Sequence, residues 1–159
     1  MPNYFYDSSA LVKRYHTEPG SEIVNLLFNG QARHFISELT VVEIHATFSK
    51  KRLTQEIDTD EALQLVRAQF SNDIKSRKIA VIRINSTHYQ EAERLIRQYG
   101  TDTSTGIIRT LDAIQLAVAL DFQKRTEIDA FLSSDQRQTS VASAEGLTIM
   151  NPEPQDTNE

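Results

Sequence analysis

Short apolar runs of strand length alternate along this chain with longer stretches in which apolar residues recur every three or four positions. Tyr4-Phe5-Tyr6 reads as a first strand, and Ser8 and Ser9 stand where they can cap a helix burying Ala10, Leu11 and Tyr15. Ser21 to Asn29 carries Ile23, Val24, Leu26 and Leu27 on a short helix that Gly30 can end. His34-Phe35-Ile36 is a second strand, and a helix from Leu39 to Leu53 follows with Val41, Ile44 and Phe48 at helical spacing. Asp58 with Glu61 fits the cap of the next helix, whose inward face is Ala62, Leu63, Val66 and Phe70. Ile79 to Ile84 is a third strand. Thr87-His88-Tyr89-Gln90 has capping-box form and opens a helix with Ala92, Ile96 and Tyr99 inward and Gly100 at its end. A polar loop over 101–106 leads into a long helix from about Ile107 to Arg125. Ala130-Phe131-Leu132 is a fourth strand, Gln136 to Glu145 a helix, and Leu147 to Met150 a fifth strand.

Strands separated by helices throughout predict an α/β fold with a mainly parallel five-stranded sheet flanked by helices. Residues 1–150 read as a single domain, and the proline-containing, polar, acidic tail 151–159 is expected to be disordered or loosely attached. Composition changes this picture little: 159 residues, 39% hydrophobic and 25% charged, are those of an ordinary globular domain. The absence of cysteine excludes a disulfide framework and thiolate chemistry. With no basic-then-apolar leader and no span of membrane length, the protein is expected to be cytoplasmic, with no membrane partner. The net charge of −5 argues only weakly against a polyanionic partner, because residues 1–150 hold 17 bases and 19 acids. Bases also gather locally, at Lys13-Arg14, at Lys50-Lys51-Arg52, and at Lys75 with Arg77-Lys78, although such runs are more commonly solvated helix faces.

The acids carry more information. Asp7 ends the first strand, where ligand sites of open parallel sheets lie, although a turn cap would explain one such residue. From Leu111 to Leu120 eight of ten residues are apolar, and the exceptions, Asp112 and Gln115, share a face with Ala119. A buried carboxylate there is costly unless paired or bound to a cation; the plain alternative is a helix that begins late, with Asp112 as its cap. Glu43 satisfies a capping box from Thr40, but Ser37 can equally cap that helix and leave Glu43 facing whatever lies beyond the second strand. Asp135 follows the strand run Phe131-Leu132-Ser133-Ser134 and can cap the next helix. Together these four acids stand shortly after strands or early in helices, positions that converge on one edge of a parallel sheet. Two carboxylates about 4 Å apart repel by roughly 4 kcal/mol at an effective dielectric near 20. Oxygen-seeking Mg²⁺ or Mn²⁺ would relieve this repulsion, and such a site can activate water against a phosphodiester. The four histidines lack metal-ligand spacing, no glycine-rich phosphate loop or nucleophile elbow exists, and Ser9 stands where an aspartyl-phosphate enzyme needs a second Asp.

Four blocks, Tyr6-Asp7-Ser8-Ser9-Ala10-Leu11-Val12-Lys13, Ser37-Glu38-Leu39-Thr40-Val41-Val42-Glu43, Leu111-Asp112-Ala113-Ile114-Gln115-Leu116-Ala117 and Leu132-Ser133-Ser134-Asp135, resemble in order and spacing the PIN-domain ribonucleases, and among them the VapC toxins of toxin–antitoxin pairs. The resemblance spans residues 1 to about 152. It implies a Mg²⁺- or Mn²⁺-dependent endoribonuclease in which Asp7, Glu43, Asp112 and Asp135 are catalytic and metal-binding, with Ser9 and Ser133 as polar support. Ser133 stands where the family usually has threonine, which keeps the hydroxyl. The resemblance also implies an RNA substrate, a cognate antitoxin that blocks the cleft, and a homodimer. On this reading Lys13, Arg14, Lys50, Lys51 and Arg52 are candidate contacts to RNA phosphate. The competing expectation is a catalytically silent PIN-like module binding RNA or protein, in which the acids persist only as caps.

Overall fold

Parallel neighbours cannot be joined by a tight hairpin, so strands of such a sheet must be linked by longer crossovers, here helical. The computed structural model describes residues 1–102, 104 and 107–153. Strands β1 (Asn3–Tyr6), β2 (Arg33–Ser37), β3 (Ile79–Ile82), β4 (Ala130–Leu132) and β5 (Ile149–Met150) form one five-stranded sheet in the order β3-β2-β1-β4-β5. Every neighbouring pair is parallel. The helices are α1 (Ser8–Leu11), α2 (Ser21–Asn29), α3 (Glu38–Leu53), α4 (Asp60–Lys75), α5 (Ser86–Tyr99), α6 (Thr110–Gln123) and α7 (Gln136–Ala144), with a 3₁₀ turn at Val12–Arg14.

Side chains along a strand alternate between faces, and the central strand β1 divides the core accordingly. Phe5 packs with Phe131 among Leu95, Leu116 and Val141 beneath α5, α6 and α7. Tyr6 belongs to the opposite cluster, with Leu11, Val24, Phe48 and Phe70 from α1 to α4. Helix α6 is apolar nearly all round because it is buried nearly all round, with Ala113, Leu116, Ala117, Val118 and Ala119 wholly enclosed.

Several expected boundaries and caps shift. The long helix starts at Thr110 rather than about Ile107 and ends at Gln123, β3 stops at Ile82, and β5 keeps only Ile149 and Met150. Thr59, not Asp58, caps α4, accepting from Ala62 N at 3.0 Å. Asn85, not Thr87, caps α5, and His88 completes the box by accepting from Asn85 N at 3.1 Å through Nδ1. That bond leaves the proton on His88 Nε2, which donates to Asp121 Oδ2 at 3.0 Å and ties α5 to α6. Of the polar loop, residues 103, 105 and 106 lie outside the described residues, as do residues 154–159 of the tail. The start of that tail is anchored: Pro152 is buried, and Glu153 Oε1 lies 2.7 Å from Lys13 Nζ. Among the described residues no helix is long and apolar enough to cross a membrane.

Gly20 makes this anchoring possible. Its φ of +94° lies in the left-handed region, and a Cβ there would meet the Pro152 carbonyl oxygen at 2.8 Å. Both the strain and the backbone contact oppose any side chain, at about 1–2 kcal/mol for the conformation alone. Gly20→Ala is therefore expected to lower the melting temperature by at least about 2–4 °C. A thermal unfolding curve followed by circular dichroism checks this, and an unchanged midpoint would show that residues 151–153 shift aside without cost.

Candidate active site

In a sheet ordered β3-β2-β1-β4-β5 the connections leave in opposite directions from β1 and β4, and a crevice opens beyond their carboxyl ends. Asp7 sits in that opening. Its backbone N–H continues the ladder to Leu132 O at 2.9 Å, and its carboxylate caps α1 by accepting from Ser9 N at 3.3 Å. Asp7 Oδ2 also accepts from Ser9 Oγ at 2.6 Å and lies 3.1 Å from Ser133 Oγ. With 3% of its surface exposed, the carboxyl is pushed up by burial, and bonds from Ser9, Ser8 and Ser133 only partly offset this. Ser133 Oγ also lies 3.0 Å from Gln138 Oε1, so its single proton can serve Asp7 or Gln138 but not both.

Glu43 enters from α3. Ser37 caps that helix, accepting from Thr40 N at 3.3 Å, so Glu43 is not needed as a cap. Its Oε2 instead accepts from Ser8 Oγ at 2.7 Å and from Gln115 Nε2 at 2.6 Å. Gln115 is 1% exposed, and turning its amide nitrogen to the carboxylate leaves its Oε1 buried with no partner among the described residues. Rotating the amide would set oxygen against oxygen, so Glu43 Oε2 holds Gln115 in this orientation.

Asp112 lies in the first turn of α6, behind an N-cap, Arg109, that makes no side-chain capping bond. The late-starting helix with Asp112 as its cap is thereby excluded. Its carboxyl is pushed up to about 6, chiefly by burial and then by the charges of Asp7 and Asp135, with Arg109 opposing. Asp135 does cap its helix, accepting from Arg137 N at 2.9 Å and Gln138 N at 3.3 Å through Oδ1, while Oδ2 stands 3.4 Å from Arg109 Nη2. Arg109 is 69% exposed and also reaches Asp112 at 3.6 Å, too open a pairing to neutralise the cluster.

All four acids line one cleft of about 550 Å³, together with Ser8, Ser9, Lys50 and Arg109. Their oxygen donors and their uncompensated charge suit a hard divalent cation. Among the described residues, however, no three His, Asp or Glu side chains are yet gathered into a metal-binding group. The expected phosphate contacts divide. Lys50 is exposed and lines the cleft, one helical face on from Glu43 and Thr47. Lys13 is 2% exposed, with Glu18 and Glu153 carboxylates at 2.9 and 2.7 Å, and this burial removes it from any RNA-facing surface. Arg14 pairs with Asp73 at 2.7 Å and lies over the Phe28 ring, Lys51 bridges Glu18 and Glu56, and Arg52 holds Asp60. Sequence reasoning assigned no role to Arg109 or to Gln138, whose Nε2 donates to Asp112 O at 3.3 Å. For Gln115 a signal existed, since it breaks an otherwise apolar helix.

A model of the PIN domain matches residues 4–144. The chain belongs to the PIN domain family. Its fold is shared with a chain of the VapBC2 complex from Rickettsia felis, solved bound to a DNA fragment from the promoter, at a TM-score of 0.62 and 16% identity over 94% of this chain and 98% of that one. A chain of VapBC-1 from nontypeable Haemophilus influenzae aligns at 0.59 and 11% identity with the same coverage. Comparison with curated protein sequences finds no match. The PIN assignment agrees with the all-parallel sheet and covers all four acids.

Asp112 sets a pH dependence. A folded-state value of about 6 against an ordinary 3.8 means that the folded protein binds this proton more tightly than the unfolded chain. The stabilisation is complete below the ordinary value and is lost as pH rises through about 6. With divalent ions chelated, the melting temperature is expected to fall over this window, and the Asp112→Asn profile to be flatter. Calorimetry at a series of pH values checks this, and parallel profiles would mean Asp112 titrates like any surface carboxyl.

Proposed function

We propose that this PIN domain is a VapC-type endoribonuclease that hydrolyses RNA phosphodiester bonds with Mg²⁺ or Mn²⁺ held by Asp7, Glu43, Asp112 and Asp135. The observation that carries this reading is the convergence of four acids, from four separate segments, on one cleft at the sheet's switch point. When bound, the cation supplies an acidified water and stabilisation of the leaving oxygen. The chain's own residues do the rest. Ser9 and Ser133 fix the Asp7 carboxylate, and Ser8 and Gln115 aim Glu43. Asp112, poised near neutrality before a cation binds, is the group able to hold or release a proton. Lys50 and Arg109, the bases lining the cleft, hold the substrate phosphates.

A cytoplasmic toxin of this kind acts as a homodimer and is silenced by a cognate antitoxin; the VapBC complexes that share its fold support the partner. The silent-module reading gains from Asp7 and Asp135, which do cap helices. Glu43 and Asp112 count against it, because neither makes a capping bond and both line the cleft with the other two acids.

RNA cleavage is expected only with added Mg²⁺ or Mn²⁺, and to stop with EDTA; full activity after exhaustive chelation would overturn the reading. Asp112→Asn is expected to abolish cleavage while the metal-free protein keeps its stability or gains about 1 kcal/mol. A hundredfold excess of Mn²⁺ over its dissociation constant should stabilise the wild type by about 2.7 kcal/mol and the variant much less. Melting curves with and without Mn²⁺ separate the readings, since equal responses would leave Asp112 outside the cation site.

A further inference from the structure

The basic run near residues 75–78 plays no part in the cleft. It lies at the opposite edge of the sheet, where the strands begin. Arg33 starts β2, and Arg77 and Lys78 form the turn that leads into β3, whose Ile79 pairs with His34. All three bases are exposed and line one surface cavity of about 340 Å³, with Phe28, Gly30 and His34 among its walls. None of the three has an ion-pair partner among the described residues. The acid felt most strongly there, Asp73, is already taken by Arg14 and Tyr15, each at 2.7 Å.

Arg77 follows the C-cap Ser76 of α4 with φ +61°, the left-handed position where helices commonly carry glycine, as Gln55 does after α3 with φ +63°. The conformation belongs to the helix end, and it is the base carried there that bears on the site. The Arg77 guanidinium stands beside a second guanidinium and an ammonium around one apolar-walled cavity, a donor set suited to phosphate oxygens.

We propose that Arg33, Arg77 and Lys78 form a phosphate-binding site that takes the backbone of RNA beyond the cleft. The inference rests on the RNA reading above and deepens it. Strand β2 spans roughly 15 Å between the two ends of the sheet, and an RNA reaching both would have to run over the flanking helices. On a chain of net charge −5, a polyanion is held only where bases outnumber acids, as three bases do the single paired Asp73 here.

The test is fluorescence anisotropy of a labelled single-stranded RNA of about 20 nucleotides, in EDTA, from about 50 to 300 mM salt. Arg33→Gln, Arg77→Gly and Lys78→Gln are compared with wild type and with Arg97→Gln, which removes a base from α5 on the other sheet face. The three variants are expected to bind more weakly and to lower the salt slope by about 0.7 for each phosphate no longer neutralised. Cleavage of a short RNA confined to the cleft stays unchanged in all three. Arg77→Gly is also expected to melt about 2–4 °C higher as its strain is released, so weakened binding cannot be blamed on misfolding. Unchanged salt slopes in all three, or an equal fall in Arg97→Gln, overturn this site and leave the nuclease reading standing. Reduced slopes in a protein that cleaves no RNA with either metal uphold the site and overturn the nuclease. A wild type that binds no RNA overturns both.

Discussion

The architecture around the cleft depends on keeping a carboxylate out of water at the point where β1 gives way to α1. Asp7 is 3% exposed and shares its cleft with three other acids, so its carboxylate must be held by hydrogen bonds and by whatever positive charge the cleft can recruit. The bonds come from both sides of the switch point: Ser9 follows β1, and Ser133 follows β4. Ser133 Oγ also receives Asp135 N, and Ser9 Oγ receives Ser134 N. The two strand ends are thus stitched through two hydroxyls, that of Ser9, which donates to Asp7, and that of Ser133, whose proton Asp7 shares with Gln138. Replacing either serine by a residue of similar size without the hydroxyl would leave Asp7 under-solvated and the two loops unbound.

A second layer of polar groups inside α6 and α7 makes that arrangement rigid. Gln115 and Gln138 are both fully enclosed, and each spans two elements: Gln115 from α6 to Glu43 on α3, Gln138 from α7 to the Asp112 carbonyl. A buried amide is tolerated only when paired, and Gln115 is only half paired, which costs about 1–3 kcal/mol for the stranded oxygen. A leucine there would pack without that cost. The amide is explained by the anion it restrains.

Much of this was legible in the sequence, for a physical reason. Strand and helix periods are local, and an acid at the end of a strand run announces its place whatever the remainder of the chain does, which is why Asp7 and Asp135 stand out. Caps are less legible. Asp58 competes with Thr59, and Thr87 with Asn85, because several adjacent residues satisfy the same capping chemistry and only the exact turn decides among them. The largest misreading was Lys13. A lysine beside an arginine looks like solvated surface, and nothing local reveals that a glutamate 140 residues later will be its partner. Arg109 and Gln138 were hidden similarly, since their roles arise from side chains brought together only by the sheet.

The strand order has a consequence in time as well as space. The centre of the sheet is made first, but the strand beside it on one side, and the hydroxyl that completes Asp7's surroundings, come 126 residues later. At about 5–20 residues per second a ribosome needs roughly 6–25 s to cover that interval. During it, Asp7, Glu43 and even Asp112 can already exist on one nascent chain without a cleft to share. The cleft therefore forms only once β4 has been made, however early three of its four acids appear.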